Sequence, residues 1–391
     1  MQRLRFKADD GSSFPDWKEK KLGNCTEFVK DGTHGTHKNV SNGHPLLSAK
    51  DIFDNVVHIP NDSRLISDDD YNKIFSKYNL QIGDVLITIV GTIGRTALVT
   101  DGCKHVAFQR SVGIIRPDKN IIDSEYLKIV CDVPHFQNEL EVKKNKGAQA
   151  GVYLGVLSNI EIPVPLLPEQ QKIAEFLSTI DTVIEKQKET VSAWEERKKG
   201  VMQKLFSQEV RFKADDGSDF PEWEEKNVED VCSVSTGKGN TQDKVDTGVY
   251  RFYVRSPIIE HSDSYLFDEE AVITVGDGVG TGKVFHYVKG KYNLHQRCYR
   301  MYDFRGVTGK YFYYFFSTNF YRRVKSMSAK TSVDSVRMEM ITKMKISVPC
   351  LAEQQKIADC LLSLDEVIEK QKSTLTAWEE RKKGLLQQMF I

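Results

Sequence analysis

The chain of 391 residues carries 55 Lys and Arg against 55 Asp and Glu, a formal net charge of zero. That balance excludes a uniformly basic coat, so a polyanionic partner must be met by local patches. A charged fraction of 28% and a hydrophobic fraction of 40% fit a globular chain long enough for more than one domain, and no apolar run reaches the roughly 20 residues of a membrane span.

The N-terminus, MQRLRFKADDG, lacks the apolar core of an export signal, and the seven cysteines form no CxxC pair. Both features read as a cytoplasmic chain with free thiols. Residues 5–17, RFKADDGSSFPDW, lead into a first body. Its β-rich runs are DVLITIVG (84–91), RTALVTD (95–101) and HVAFQRSVGIIRP (105–117), followed by an apparent helix over 124–144 and a strand at 160–165.

A long helical segment begins near Pro168. Ile173, Leu177, Ile180, Ile184, Gln187, Val191, Trp194, Lys198, Val201 and Leu205 recur at alternate steps of four and three, a heptad seam held for five repeats. At 1.5 Å per residue the helix is about 55 Å long.

The pattern then starts again. RFKADDGSDFPEW (211–223) repeats the opening, and a second body follows with β-rich runs at 271–278, 282–290 and 292–303. An aromatic helix, GKYFYYFFSTNFYRRVKSM (309–327), and a strand at 344–349 complete it. Phe312, Tyr313, Tyr314, Phe315 and Phe316 read as core rather than as a base-stacking platform. Residues 353–390 match 169–206 at about 25 of 38 positions, and AWEERKKG stands identically at 193–200 and 377–384.

The chain is therefore a tandem duplication with constant joints and variable bodies. Two copies of one seam pair best about a two-fold axis, which makes the helices antiparallel and sets Gln187 beside Gln371 as a register-fixing polar pair. The segments close into a circle whose cut, at the chain ends, falls in one of two equivalent joints. The predicted boundaries are 1–165 for the first body, 166–208 for the first spacer helix, 209–349 for the second body and 350–391 for the second helix. The fold class is α+β, two mixed α/β bodies separated by two long antiparallel coiled-coil helices in a pseudo-two-fold circle.

Some polar points recur between the bodies: Gln109-Arg110 against Gln296-Arg297, Gly94-Arg95 against Gly282-Lys283, and the basic loops 143–149 against 325–332. They read as two readers of one kind of polyanion. The identical surface around Trp194 with Arg197 and Trp378 with Arg381 reads as two equivalent sites for one partner. Enzyme signatures fail. GDGVGTGKV (276–284) has Asp277 where a P-loop needs Gly and Val284 where it needs Ser or Thr, and the histidines lack metal-ligand spacing.

The blocks IPVPLLPEQQKIAEFLSTIDTVIEKQK and ISVPCLAEQQKIADCLLSLDEVIEKQK, with VKDGTHGTHKN, HPLLSAKDI and FPDWKEKKLG, resemble the specificity subunit of type I restriction-modification systems over essentially the whole chain. The resemblance implies a non-catalytic subunit whose two target recognition domains read a bipartite double-stranded DNA sequence. It implies that the helices hold two methyltransferase subunits, which two motor and endonuclease subunits can join. No cofactor is expected on this chain: S-adenosylmethionine and ATP with Mg belong to the partners. By analogy, DNA contacts fall in the first body on Lys30, Thr33, His34, Thr36, His37, Lys38, Arg95, Gln109, Arg110, Lys143, Lys144 and Lys146. In the second body they fall on Lys238, Asn240, Thr241, Lys283, Gln296, Arg297, Lys325, Lys330 and Arg337. A coiled-coil scaffold without DNA readout is the competing reading.

Overall fold

The computed structural model describes residues 3–145, 150–278, 280–327 and 335–390; the predicted contacts Lys146 and Lys330 lie outside them. The chain separates into two compact units, residues 1–186 with 375–391, and residues 187–374. The division cuts both long helices, Leu167–Phe206 and Leu351–Met389. Each unit thus holds one body, the first half of one helix and the second half of the other.

Within each unit the two helix halves run antiparallel. In the second unit Gln187 donates to the Gln371 side chain at 2.7 Å, Lys372 meets Glu195 at 2.8 Å, and Lys198 pairs with Asp365. In the first unit Lys382 meets Asp181 at 2.5 Å. From Gln187 to Lys198 one helix runs forward while the partners run back from Gln371 to Asp365, which only antiparallel helices allow. Ile173, Leu177, Ile180, Ile184, Val191 and Leu205 of the first seam are buried, as are Ile357, Leu361, Ile368 and Met389 of the second. Gln187 Nε2 donates to both the backbone and the side-chain oxygen of Gln371, in a half-buried seam where an unpaired amide would cost about 1–3 kcal/mol.

The repeated EQQK and RFKADDG words lock these joints. Glu169 and Glu353 are fully buried near the starts of the two helices. Glu169 accepts Arg5 Nε at 2.7 Å, Arg5 Nη2 at 2.9 Å and Trp17 Nε1 at 3.0 Å. Glu353 accepts Arg211 Nε at 3.1 Å, Arg211 Nη2 at 2.9 Å and Trp223 Nε1 at 2.9 Å. Gln170 donates to the Ile121 and Pro165 carbonyls and accepts the Asp123 amide, and Gln354 repeats this with Gly306, Pro349 and Thr308. Leu4 N donates to the Gln388 carbonyl at 2.9 Å, as Val210 N donates to Lys204 at 3.3 Å. Leu4 and Gln388 are therefore joined in one unit as Val210 and Lys204, on an unbroken stretch of chain, are joined in the other.

The bodies share a sheet plan. In the first, four antiparallel strands lie in the order Thr26–Asp31, Val112–Pro117, Val85–Thr88, Thr96–Leu98. In the second, Ser233–Thr236, Cys298–Tyr302, Phe267–Val275 and Phe285–Leu294 take the same places, and Tyr250–Tyr253 and Glu260–Ser262 extend the sheet. Two-stranded ribbons tie each body to its joint: Lys18–Lys21 with Glu161–Val164, and Glu224–Asn227 with Lys345–Val348.

Two elements differ from expectation. The helix expected over 124–144 is two helices, Ser124–Asp132 and Pro134–Lys143, because the Pro134 ring drives Val133 out of the α region to ψ 148°. The runs at 282–290 and 292–303 do not break at Gly290; one strand, Phe285–Leu294, passes through it at φ +108°. The aromatic helix is core as expected. Phe312, Phe316 and Phe320 are fully buried, Tyr314 and Phe315 nearly so, and Tyr313 packs partly buried beside them.

Candidate nucleic-acid interface

Backbone hydrogen bonds fix which residues correspond between the bodies. Thr33 N donates to the Phe108 carbonyl and Arg110 N to the Thr33 carbonyl; Gly239 N donates to Leu294 and Gln296 N to Gly239. Gln109 N donates to Leu47 and Val112 N to Gln109; His295 N donates to Tyr253 and Cys298 N to His295. The turn Phe108-Gln109-Arg110-Ser111-Val112 therefore matches Leu294-His295-Gln296-Arg297-Cys298. This corrects the pairing of Gln109-Arg110 with Gln296-Arg297 by one residue: Arg110 corresponds to Gln296, and Gln109 to His295. The strand pairs Ile87–Thr96 and Thr274–Phe285 likewise align Arg95 with Val284 rather than with Lys283. The similarity of words misleads because each turn is read by hydrogen-bond count, not by residue type.

Beside each turn a preceding loop passes so close that glycine is required. A Cβ on Gly32 would lie 2.1 Å from the Phe108 carbonyl oxygen, and one on Gly237 would lie 2.2 Å from that of Leu294. The neighbouring loops also match. Ile89 N donates to Ser111 and Val152 N to Ile89, while Gly276 N donates to Arg297 and Val336 N to Gly276. Val90 then faces Gly151 where Asp277 faces Ser335.

In the first body this edge holds exposed His34, Thr36, Lys38 and Arg110 and a half-buried Gln109. His34 Nε2 lies 2.6 Å from Asp31, and His37 bridges Thr33 Oγ1 at 2.9 Å and Asp70 at 3.2 Å. Thr33 is buried and its hydroxyl also accepts the Gly35 amide, so it builds the loop from beneath. A cavity of about 520 Å³ opens beside Arg110, lined by His34, Asn145 and Tyr153 among others. Lys30 donates to the Lys77 carbonyl, Arg95 to that of Ile52 at 3.3 Å, and Lys143 and Lys144 pair with Glu139 and Glu141 on their own helix or its end. These four point to partners outside the turn.

In the second body Gln296 donates to Asn240 Oδ1 at 2.7 Å, and Thr241 Oγ1 lies 3.4 Å from His295 Nε2. Lys238, Asn240, Thr241, Gln296 and Arg297 are exposed, and the structure brings them to the one edge. Arg297 meets Asp277 at 2.5 Å, and Arg255 meets the same carboxylate at 3.2 Å. Burial works to raise the Asp277 carboxyl, but the bonds and charges of the two guanidiniums outweigh it and hold it below the usual range. Burial first, then the Arg255 charge, lowers His295, and burial pushes the Cys298 thiol up to about 12. Lys283 stands over the Tyr321 ring at 5.4 Å, and Lys325 and Arg337 are exposed. Sequence reasoning missed His295, Arg255, Asp277, Asn145 and Tyr153; only the strand register, invisible in one sequence, could have supplied them.

On the joints, Arg197 lies over Trp194 at 5.2 Å and Arg381 over Trp378 at 5.8 Å. Both tryptophans are half-buried and both arginines exposed; Trp378 packs against the first unit's core. Among the described residues no group of three His, Cys, Asp or Glu could hold a metal ion, and no helix is long and apolar enough to cross a membrane.

Two bodies with one ladder, each tied by the same joint, define a duplicated protein with two variable edges. The type I restriction modification DNA specificity domain matches twice, at residues 15–192 and 221–377, so the chain belongs to that family. The putative type I restriction enzyme MjaX specificity subunit of Methanocaldococcus jannaschii is 24% identical, over 97% of this chain and 94% of its own. The EcoBI specificity subunit of Escherichia coli is 28% identical over 44% of this chain and 37% of its own. The crystal structure of a type I restriction-modification S subunit from M. genitalium shares the fold with a TM-score of 0.62 at 14% identity, covering 100% of this chain and 99% of that one.

Proposed function

We propose that this chain is the DNA-reading subunit of a type I restriction-modification complex, in which each body reads one half of a split target. The observation that carries the reading is the double match of the specificity domain to two bodies whose turns, 108–112 and 294–298, coincide by backbone ladder yet differ in side chains. Equal frames with unequal edges are what reading two different half-sites requires, since base edges are distinguished by a few side chains while backbone contacts only position them.

The chain itself does no covalent chemistry in this reading and acts in the cytoplasm. Two methyltransferase subunits dock on the duplicated joints around Trp194 with Arg197 and Trp378 with Arg381, and two motor subunits can join them. S-adenosylmethionine, ATP and Mg sit on those partners, and methyl transfer to adenine is theirs. A map of methylated adenines in cells carrying the chain and its methyltransferase, against cells lacking only the chain, tests this. Loss of a split motif with a fixed gap supports it. Identical maps, with the methyltransferase expressed, overturn it in favour of a scaffold.

A further inference from the structure

The second body carries a charged arrangement that has no counterpart among the described residues of the first. Asp277 stands where the first body has Val90, and Arg297 where it has Ser111, whose hydroxyl is spent on the Ala49 amide at 3.0 Å. Both Asp277 oxygens are used: Oδ1 by Arg255 at 3.2 Å, Oδ2 by Arg297 at 2.5 Å. Asp277 is 21% exposed, whereas the side chains of Arg255 and Arg297 are 46% and 60% exposed. Among the described residues neither guanidinium has another hydrogen-bond partner, so most of their donors face outward from a fixed base.

We propose that Asp277 is a positioning residue that holds Arg297, flanked by Arg255, as a fork for the O6 and N7 edge of a guanine in the half-site read by the second body. Three physical points favour a base edge over a phosphate. A guanidinium tied at one nitrogen keeps its planar fork in one orientation, which bidentate pairing with guanine needs. A phosphate accepts a cation from many directions and gains little from that restraint. A carboxylate set between the two arginines also repels phosphate and weakens any backbone contact there. The arginine sits on the same turn that carries Gln296 and Asn240, the groups suited to reading an adjacent base pair. Among the described residues the first body, with Val90 and Ser111 at these places, has no such fork, so a guanine at the corresponding place in its half-site would have to be read otherwise.

The inference rests on the DNA-reading function proposed above, and the test separates the two. Methylation is mapped for the complex of the chain with its methyltransferase subunits, for wild type, Arg297→Gln, Arg297→Lys and Asp277→Asn, with melting temperature recorded for each. If the wild type directs no split motif, the functional reading itself fails. Given a motif, the expected result is a guanine in the second body's half-site whose requirement is relaxed at that one position by all three variants, with the other half-site and the melting temperature unchanged. Arg297→Lys is decisive, because it keeps the charge and loses the fork. Three results would overturn the proposal: a half-site without guanine; a Lys variant that reads like wild type while the Gln variant weakens all sequences evenly and makes binding less salt-dependent, the signature of a phosphate contact; or an Asp277→Asn map identical to wild type.

Discussion

The two joints of this chain are nearly alike while its two bodies differ, and the contrast separates holding from reading. At the joints the same side chains make the same bonds: Arg5 and Arg211, Trp17 and Trp223 with Glu169 and Glu353, then Lys382 with Asp181 and Lys198 with Asp365. On the reading edges the backbone bonds are shared but the side chains are not. Gln109 becomes His295, Arg110 becomes Gln296, Ser111 becomes Arg297, and Val90 becomes Asp277. A joint must close on one geometry, so its residues are interchangeable between copies; an edge must only be held in place, so its side chains are free to differ.

Breaking a joint should have the largest effect. Glu169→Ala leaves Arg5 and Trp17 facing an emptied, buried site, and a loss of about 3–5 kcal/mol is expected because a buried charge pair is left half-made. Glu353→Ala should cost a similar amount, by denaturant melts of the two variants side by side; unequal losses would show that the joints are not equivalent. Next comes the frame beneath the edges. Gly32→Ala and Gly237→Ala each push a methyl into a carbonyl oxygen, so each should lose about 1–3 kcal/mol and abolish recognition by its own body. DNA binding by the complex, probed with each half-site altered in turn, checks this.

Smaller effects sharpen the same contrast. Gln187→Leu strands the Gln371 side-chain oxygen and should cost about 1–2 kcal/mol, while Gln187→Leu with Gln371→Leu should return most of it and loosen the register. Thermal melts of the single and double variants decide it. The smallest effect is on pH and belongs to the second body. Burial lowers His286 and His295 from their ordinary 6.5. The unfolded chain takes up protons as pH falls through 6.5 while the folded chain resists, so this contribution is present above 6.5 and is lost on acidification. Hydrogen exchange at pH 7.5 and 5.5, corrected for intrinsic rates, should show protection of Phe285–Leu294 falling at the lower pH, and less so in His286→Phe.

Much of the architecture was legible because it was written twice. The seam from Ile173 to Leu205, its antiparallel pairing and the Gln187–Gln371 contact followed from heptads and the logic of a two-fold repeat. The role of RFKADDG did not, because the partner of Arg5 is Glu169, 164 residues away. The edges were half legible. His34, Gln296 and Asn240 were found by type, but the true correspondence between turns depends on which amide meets which carbonyl. Asp277 was noted only as the residue that spoils a P-loop; Arg255, from another strand end, meets it only in the folded body.

The central claim, that the joints hold and the bodies read, is tested most directly by giving the chain two copies of one reader. Residues 224–348 are replaced by residues 18–164, exchanging one body for the other at the matched ribbons Glu224–Asn227 with Lys345–Val348 and Lys18–Lys21 with Glu161–Val164. The methylated sequence is then mapped in cells supplying the methyltransferase. The expected result is a split motif whose two halves are both the original first half-site, arranged symmetrically. A folded, complex-forming hybrid that still methylates the original asymmetric motif, or a motif unrelated to the first half-site, would contradict the account.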